Sequence, residues 1–217
     1  MTHLDLNPLH TPLQNLLSVV ADYLRPREPW LNVAEVIGHA VIYRVGDGLP
    51  PMAVGLPSEL RSELQIELQT RRATQVARST ANDISVAPVL TAIAAAAPQL
   101  RWRQNPTYTD AVFLQRYAYC ELVGPAGHAV CSSFSAGLLY LAAGTFYPPH
   151  AHPAEEVYHL LCGESCWQQG DQPARWLTSG ARVLHPGGVA HSMQSGPQPM
   201  LALYVWRGDL ETAARLT

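Results

Sequence analysis

The sequence is short of charge, and of positive charge in particular. Lysine plus arginine number 14 against 17 aspartate plus glutamate in 217 residues, a formal net charge of -3. A protein that neutralises several nucleic-acid phosphates needs a basic field. None is present, and the single adjacent basic pair, Arg71-Arg72, reads as the solvated face of a helix. The N-terminal stretch from Met1 to Asn7 has no charged leader followed by an apolar core, so a secretory signal is not expected. No apolar run reaches membrane-spanning length; the alanine-rich stretch from Ala92 stops at Pro98. Cysteine is sparse. Cys120, Cys131, Cys162 and Cys166 fall on expected strands rather than in a dense loop framework, which predicts reduced core thiols and a cytoplasmic protein. Cys162 and Cys166 have no second Cys/His pair at zinc-finger spacing, and Gly163 between them belongs to a hairpin turn. No internal repeat is visible.

What is present divides the chain in two. The first hundred residues carry helical stripes. Thr11 caps a helix with Pro12 at its first position, and Leu13, Leu16, Leu17, Val20 and Leu24 share one face. Asn32 with Glu35 gives a second start, Ser58 with Leu60, Leu64 and Leu68 a third, and Pro88, Val89, Leu90 and Ile93 a fourth. Beyond them, short β-like runs at 112–122, 129–134, 138–142, 156–162, 165–168, 182–184, 191–194 and 200–206 are separated by Gly, Pro or Asp turns. The expected organisation is a helical region over residues 1–105 packed on a mainly β barrel over residues 106–217.

Two linked spacing patterns carry the chemistry. Gly144-Thr145-Phe146-Tyr147-Pro148-Pro149-His150-Ala151-His152 is followed by Glu156 and Gly163; Gly180 is followed by Pro186-Gly187-Gly188 and His191. Alternate side chains of a strand face one way, so His150 and His152 present both imidazoles together. Glu156 adds a carboxylate oxygen, and His191 closes the set from a second hairpin. Three imidazoles and a carboxylate suit zinc, iron, manganese or nickel, and the ligand types do not choose among them. This two-part spacing resembles the cupin superfamily of double-stranded β-helix (jelly-roll) barrels. One departure is that the Asn many cupins carry four residues after the last histidine is Ser195 here. Tyr158 lies two residues after Glu156, on the same strand face. A nearby cation favours its phenolate, making it a candidate general base. Tyr147 and Trp206 flank the set. His159 and Glu155 alternate away from the metal face, and His185 sits before a turn; His3, His10, His39 and His128 have no partner at ligand spacing.

The segment from Tyr147 to Glu164, the turn ending at His191, and Trp206 closely resemble the cupin-type dimethylsulfoniopropionate (DMSP) lyases. That resemblance implies a metal surrounded by His152, Glu156, Tyr158 and His191 with His150 as ligand or neighbour. It further implies Tyr158 as the base, with Tyr147 and Trp206 lining the substrate pocket. Tyr140 and Tyr204 are further candidates for contacting the sulfonium. The implied activity is β-elimination of a small-molecule substrate to dimethyl sulfide and acrylate, with a homodimer as a possible assembly. Two other readings stay open: a cupin dioxygenase or isomerase acting on another small carboxylate, and a non-catalytic binding cupin.

Overall fold

A computed structural model of the chain describes residues 11–31 and 86–217. Helix α1 (Pro12–Leu24) begins where the sequence predicts. The Thr11 hydroxyl accepts the Gln14 backbone N–H at 3.2 Å, and Gln14 Oε1 accepts the Thr11 N–H at 2.8 Å, a reciprocal capping box. Its expected stripe is buried. Helix α2 (Ala87–Ala96) gives way at Pro98 to a 3-10 turn, Ala97–Gln99, and Gln99 Oε1 accepts the Leu13 N–H at 3.1 Å, tying the two helices together. The helices expected from Asn32 and Ser58, and the Arg71-Arg72 pair, lie outside the described residues.

The remaining chain forms two sheets. One runs in the order β2 (Ala129–Val130), β1 (Tyr117–Gly124), β3 (Phe134–Leu141), β10 (Met200–Arg207), β5 (Glu155–Cys162), β8 (Arg182–His185). The other runs β11 (Arg215–Leu216), β4 (Phe146–Ala151), β9 (His191–Ser195), β6 (Glu164–Gln169), β7 (Arg175–Thr178). All pairs are antiparallel except β1 with β2. Two such sheets face to face make the double-stranded β-helix expected from the sequence. Gly163, at a left-handed φ of +83°, turns β5 into β6, where a Cβ would lie 2.4 Å from the Pro199 carbonyl oxygen.

The run at 112–122 is not one strand. Asp110 accepts the N–H groups of Val112 and Phe113 at 2.8 and 3.2 Å, and this cap starts a short helix, α3 (Ala111–Leu114), before β1 begins at Tyr117. The run at 129–134 also divides, with β2 ending at Val130 and β3 starting at Phe134.

Burial falls into two layers. Leu122, Leu138, Tyr140, Leu161, Leu203 and Val205 form one core with the apolar faces of α1 and α2. Tyr117, Leu139, Tyr147, Tyr158, Trp167 and Met193, drawn from both sheets, form the other. The helices therefore cover the outer face of the first sheet, and the second core is the barrel interior. β3 is buried along its whole length for this reason. Just past α1, Glu28 is fully buried and fastens this layer to the sheet. His159 Nε2 donates to it at 2.9 Å, Arg182 Nε at 2.7 Å and Trp30 Nε1 at 2.9 Å. His159 thus faces away from the barrel interior, as its alternation with Glu156 and Tyr158 requires.

Candidate metal centre and substrate cavity

β4 and the residue after it supply His150 and His152, β5 supplies Glu156, and β9 supplies His191, so the four come from both sheets. Their ligand atoms lie within 4.8 Å of one another, and all four residues are buried. A bulge between Tyr147 and His150 in the pairing with β9 spans Pro148 and Pro149, and it brings both side chains to the interior despite their odd spacing.

The hydrogen bonds of the histidines determine what this cluster can hold. His150 Nδ1 lies 2.9 Å from the Pro148 carbonyl, His152 Nδ1 2.9 Å from that of Ala154, and His191 Nδ1 3.0 Å from that of Val189. A carbonyl oxygen only accepts, so each Nδ1 carries the proton and each neutral ring directs an Nε2 lone pair into the cluster. There His152 Nε2 meets Glu156 Oε2 at 3.0 Å and His191 Nε2 meets it at 3.3 Å. His191 Nε2 is buried with no hydrogen-bond partner. Three lone pairs and a carboxylate pointing at one another repel unless a cation lies among them. The backbone carbonyls are the outer partners that orient such ligands. The arrangement fits a single metal ion. Burial, reinforced by the His191 ring, pulls His150 down to about 4.

Aromatic side chains line the approach. Tyr147 stacks on His150 with centroids 4.3 Å apart, and Trp206 stacks on His152 at 4.0 Å. The Tyr158 hydroxyl donates to Glu156; burial, with the Glu156 charge added, pushes its phenol well above the ordinary value. The Tyr108 and Tyr147 hydroxyls hydrogen-bond at 3.1 Å. Tyr147, Tyr158, Tyr204 and Trp206 all line one cavity of about 310 Å³ that also reaches His150 and Glu156. That volume is at the small end for ligand sites, about 300–1,000 Å³.

The structure corrects two expectations. Tyr140 faces the helices rather than the cavity, because β3 turns Leu139 and Leu141 inward and Tyr140 outward. His185 does precede the turn, but it is more than a turn residue. It ends β8 opposite Glu156, is fully buried, and stacks on His191 with centroids 4.0 Å apart; burial pulls it down to about 3. Ser195 has its own task. Its hydroxyl donates to the Ala142 carbonyl at 2.6 Å and accepts the Thr145 N–H at 2.8 Å, fixing the loop ahead of β4. Sequence reasoning also passed over Tyr117, Tyr119 and Glu121, which line the cavity from β1. Their two-residue alternation, Tyr-Ala-Tyr-Cys-Glu, was the available signal.

A family model described as DMSP lyase, that is dimethylsulfoniopropionate lyase, matches residues 57–202, more than half of the chain. The chain belongs to the DMSP lyase family. It is 40% identical over 124 residues to the dimethylsulfoniopropionate lyase DddQ of Ruegeria pomeroyi, a match covering 57% of this chain and 62% of that protein. The chain therefore spans less than two thirds of the length of this curated relative. The crystal structure of DMSP lyase DddQ from Ruegeria pomeroyi superposes with a TM-score of 0.67 at 32% identity, over 95% of this chain and 96% of that one. A chain from the crystal structures of the DMSP lyases RdDddP and RnDddQII gives a TM-score of 0.72 at 26% identity, over 95% and 97%. Among the described residues no helix is long and apolar enough to cross a membrane.

Proposed function

We propose that this protein cleaves dimethylsulfoniopropionate by β-elimination, giving dimethyl sulfide and acrylate. The observation that carries the proposal is the convergence of three Nε2 lone pairs and the Glu156 carboxylate beside the Tyr158 phenol, inside an aromatic cavity. His150, His152, Glu156 and His191 are assigned to a divalent transition metal (zinc, iron, manganese or nickel). When bound it would polarise the substrate carboxylate, acidify the neighbouring C–H and favour the Tyr158 phenolate.

The chain's own residues account for the rest. In its phenolate form, its own proton released to solvent, the Tyr158 oxygen takes the proton from the carbon next to the carboxylate. The C–H electron pair becomes the new carbon–carbon bond, the β-carbon–sulfur bond breaks, and its pair leaves on sulfur. Tyr147 and Trp206 turn aromatic faces to the sulfonium and exclude water; such contacts contribute on the order of 0.5–2 kcal/mol. Tyr147 is the second candidate for the proton transfer, but its hydroxyl is engaged with Tyr108 whereas Tyr158 reaches Glu156. A dioxygenase or isomerase reading gains no particular support. Ser195, at the position of the usual cupin Asn, is committed to backbone groups of the neighbouring loop.

The same reading treats residues 1–105 as a brace for the barrel of residues 106–217, supported by the shared core of α1, α2 and the first sheet. It assigns the protein to the cytoplasm, in keeping with four free cysteines, and allows a homodimer. The test is headspace and solution analysis of purified protein with DMSP. Dimethyl sulfide and acrylate in equal amounts are expected; consumption of oxygen, or no turnover with the metal bound, would point to the dioxygenase or the binding protein instead.

A further inference from the structure

The cavity that leads to the metal cluster has an unusual balance of charge. Its lining holds Glu121, Glu156 and Glu211 and, among the described residues, no arginine or lysine. Glu156 belongs to the histidine cluster, and Glu211 is exposed at the rim. Glu121 is neither. It sits three strands from Glu156 across the first sheet, on β1, where Tyr117, Tyr119 and Glu121 alternate towards the cavity and Ala118, Cys120 and Leu122 towards the helices.

The local backbone is shaped around this carboxylate. The β1–β3 pairing shifts register between Glu121 and Val123, a bulge of the kind that re-aims a side chain. Gly124 follows with φ +147°, and a Cβ there would come within 2.0 Å of Glu121 Oε1. Ala126 N–H and the Ser135 hydroxyl both donate to that same oxygen at 3.3 Å. Oε2 keeps no hydrogen-bond partner among the described residues. Burial raises the Glu121 carboxyl above the ordinary carboxylate value, and the Ala126 N–H, Arg103, the Ser135 hydroxyl and Arg101 offset this only in part; neither arginine forms an ion pair with it among the described residues, and neither lines the cavity. Arg101 and Arg103 are instead held by the Gly127 and Ala126 carbonyls at 2.8 and 2.9 Å.

An anionic oxygen left over at the end of an aromatic cavity, opposite the site for a carboxylate, calls for a cation. We propose that Glu121 is a specificity-determining residue: its carboxylate, with Tyr119 and Tyr204 beside it in the lining, selects substrates whose far end carries a permanent positive charge. Neutral carboxylates of the same shape are discriminated against by this residue. This rests on the lyase reading for the direction in which the substrate lies, with its carboxylate at the histidines. Aromatic faces alone prefer an onium group modestly; a full charge near it adds Coulombic attraction that the partly desolvated cavity screens less than water does.

The test compares two ligands of equal shape, 3-(trimethylammonio)propionate and 4,4-dimethylpentanoate, which differ only in the charge at the branched end. Their affinities for the metal-loaded full chain and for Glu121→Gln are measured by calorimetry. The wild-type protein is expected to bind the onium ligand at least about tenfold more tightly than the neutral one. Glu121→Gln is expected to remove most of that preference by weakening the onium ligand, with the neutral ligand's Kd unchanged. Equal wild-type affinities, absence of binding by either ligand, or an undiminished preference in the variant would overturn the proposal; if Glu121→Gln folds poorly, Ser135→Ala, which removes one hydrogen bond to the carboxylate and leaves its charge, should keep the preference, and its loss there would overturn the proposal. Failure of the activity reading looks different: the onium preference holds while DMSP is not cleaved. Cleavage of DMSP without any onium preference leaves the activity standing and removes the role of Glu121.

Discussion

The indole of Trp206 lies on the imidazole of His152, ring centroids 4.0 Å apart and planes 27° from parallel. Pairing of Trp206 with Glu156 across β10 and β5 sets this contact, so the wall of the cavity and the histidine–glutamate cluster share one strand register. Trp206→Ala removes an aromatic face from the cavity and a packing partner from a ligand. KM for DMSP should rise by roughly 2- to 30-fold, the range that corresponds to a cation–π contact. Trp206→Phe should recover most of the loss in steady-state kinetics.

His191 joins the histidine–glutamate cluster from β9 and is held by the Val189 carbonyl on one side and the His185 ring on the other. His191→Ala should strip most of the bound metal while the barrel stays folded. Elemental analysis beside far-ultraviolet circular dichroism checks both halves of that expectation, and unchanged metal content would remove His191 from the ligand set.

Glu28 predicts an acid-dependent stability. Burial opposes its charge, but hydrogen bonds from His159, Arg182 and Trp30 more than offset this and hold its pKa at about 2, against 4.5 for a free glutamate. A depressed carboxylate pKa contributes stability above the unfolded value and loses it as pH falls towards the folded one. The contribution should be complete above about pH 5 and fade between about pH 4.5 and 2. With half-exposed Arg182 screened by solvent, it should amount to about 2–3 kcal/mol. Denaturant melts of the wild type and Glu28→Gln should therefore differ most near neutrality and converge in acid.

The covering role of the helices is tested by deletion. Leu16, Leu17, Val20, Leu24, Leu90 and Ile93 are packed on the first sheet, and a barrel without them exposes a broad apolar face. Removing residues 1–100 should give an aggregating product in size-exclusion chromatography. A soluble and fully active barrel would show that the helices are dispensable.

The grouping of His150, His152 and Glu156 was legible because these residues are near one another in sequence, while His191 joins them through the pairing of β9 with β4. His150 and His152 are two apart on one extended segment, and Glu156, Tyr158 and Leu160 alternate inward on β5. Tyr140 was misjudged for the converse reason: β3 is buried on both faces, so its apolar pattern carries no sign of which side is the barrel interior. His185 stayed hidden because its importance arises from the pairing of β8 with β5, a register that no feature of Leu184-His185-Pro186 announces. Val112 and Phe113 have strand propensity, and the Asp110 cap overrode it. Glu121 became meaningful only once β1 was set beside β3 and the cavity could be traced.

Tyr158, beside Glu156 in the cavity, is proposed to remove the proton. The most direct measurement is the rate of dimethyl sulfide release by Tyr158→Phe and Tyr147→Phe beside the wild type, at equal metal content. Phenylalanine at 158 keeps the ring and its packing against Trp167 but cannot take a proton. For Tyr158→Phe, kcat should fall by about 10²- to 10⁴-fold with a smaller change in KM. Near-normal turnover by Tyr158→Phe together with loss of turnover by Tyr147→Phe would contradict it and transfer the role to Tyr147.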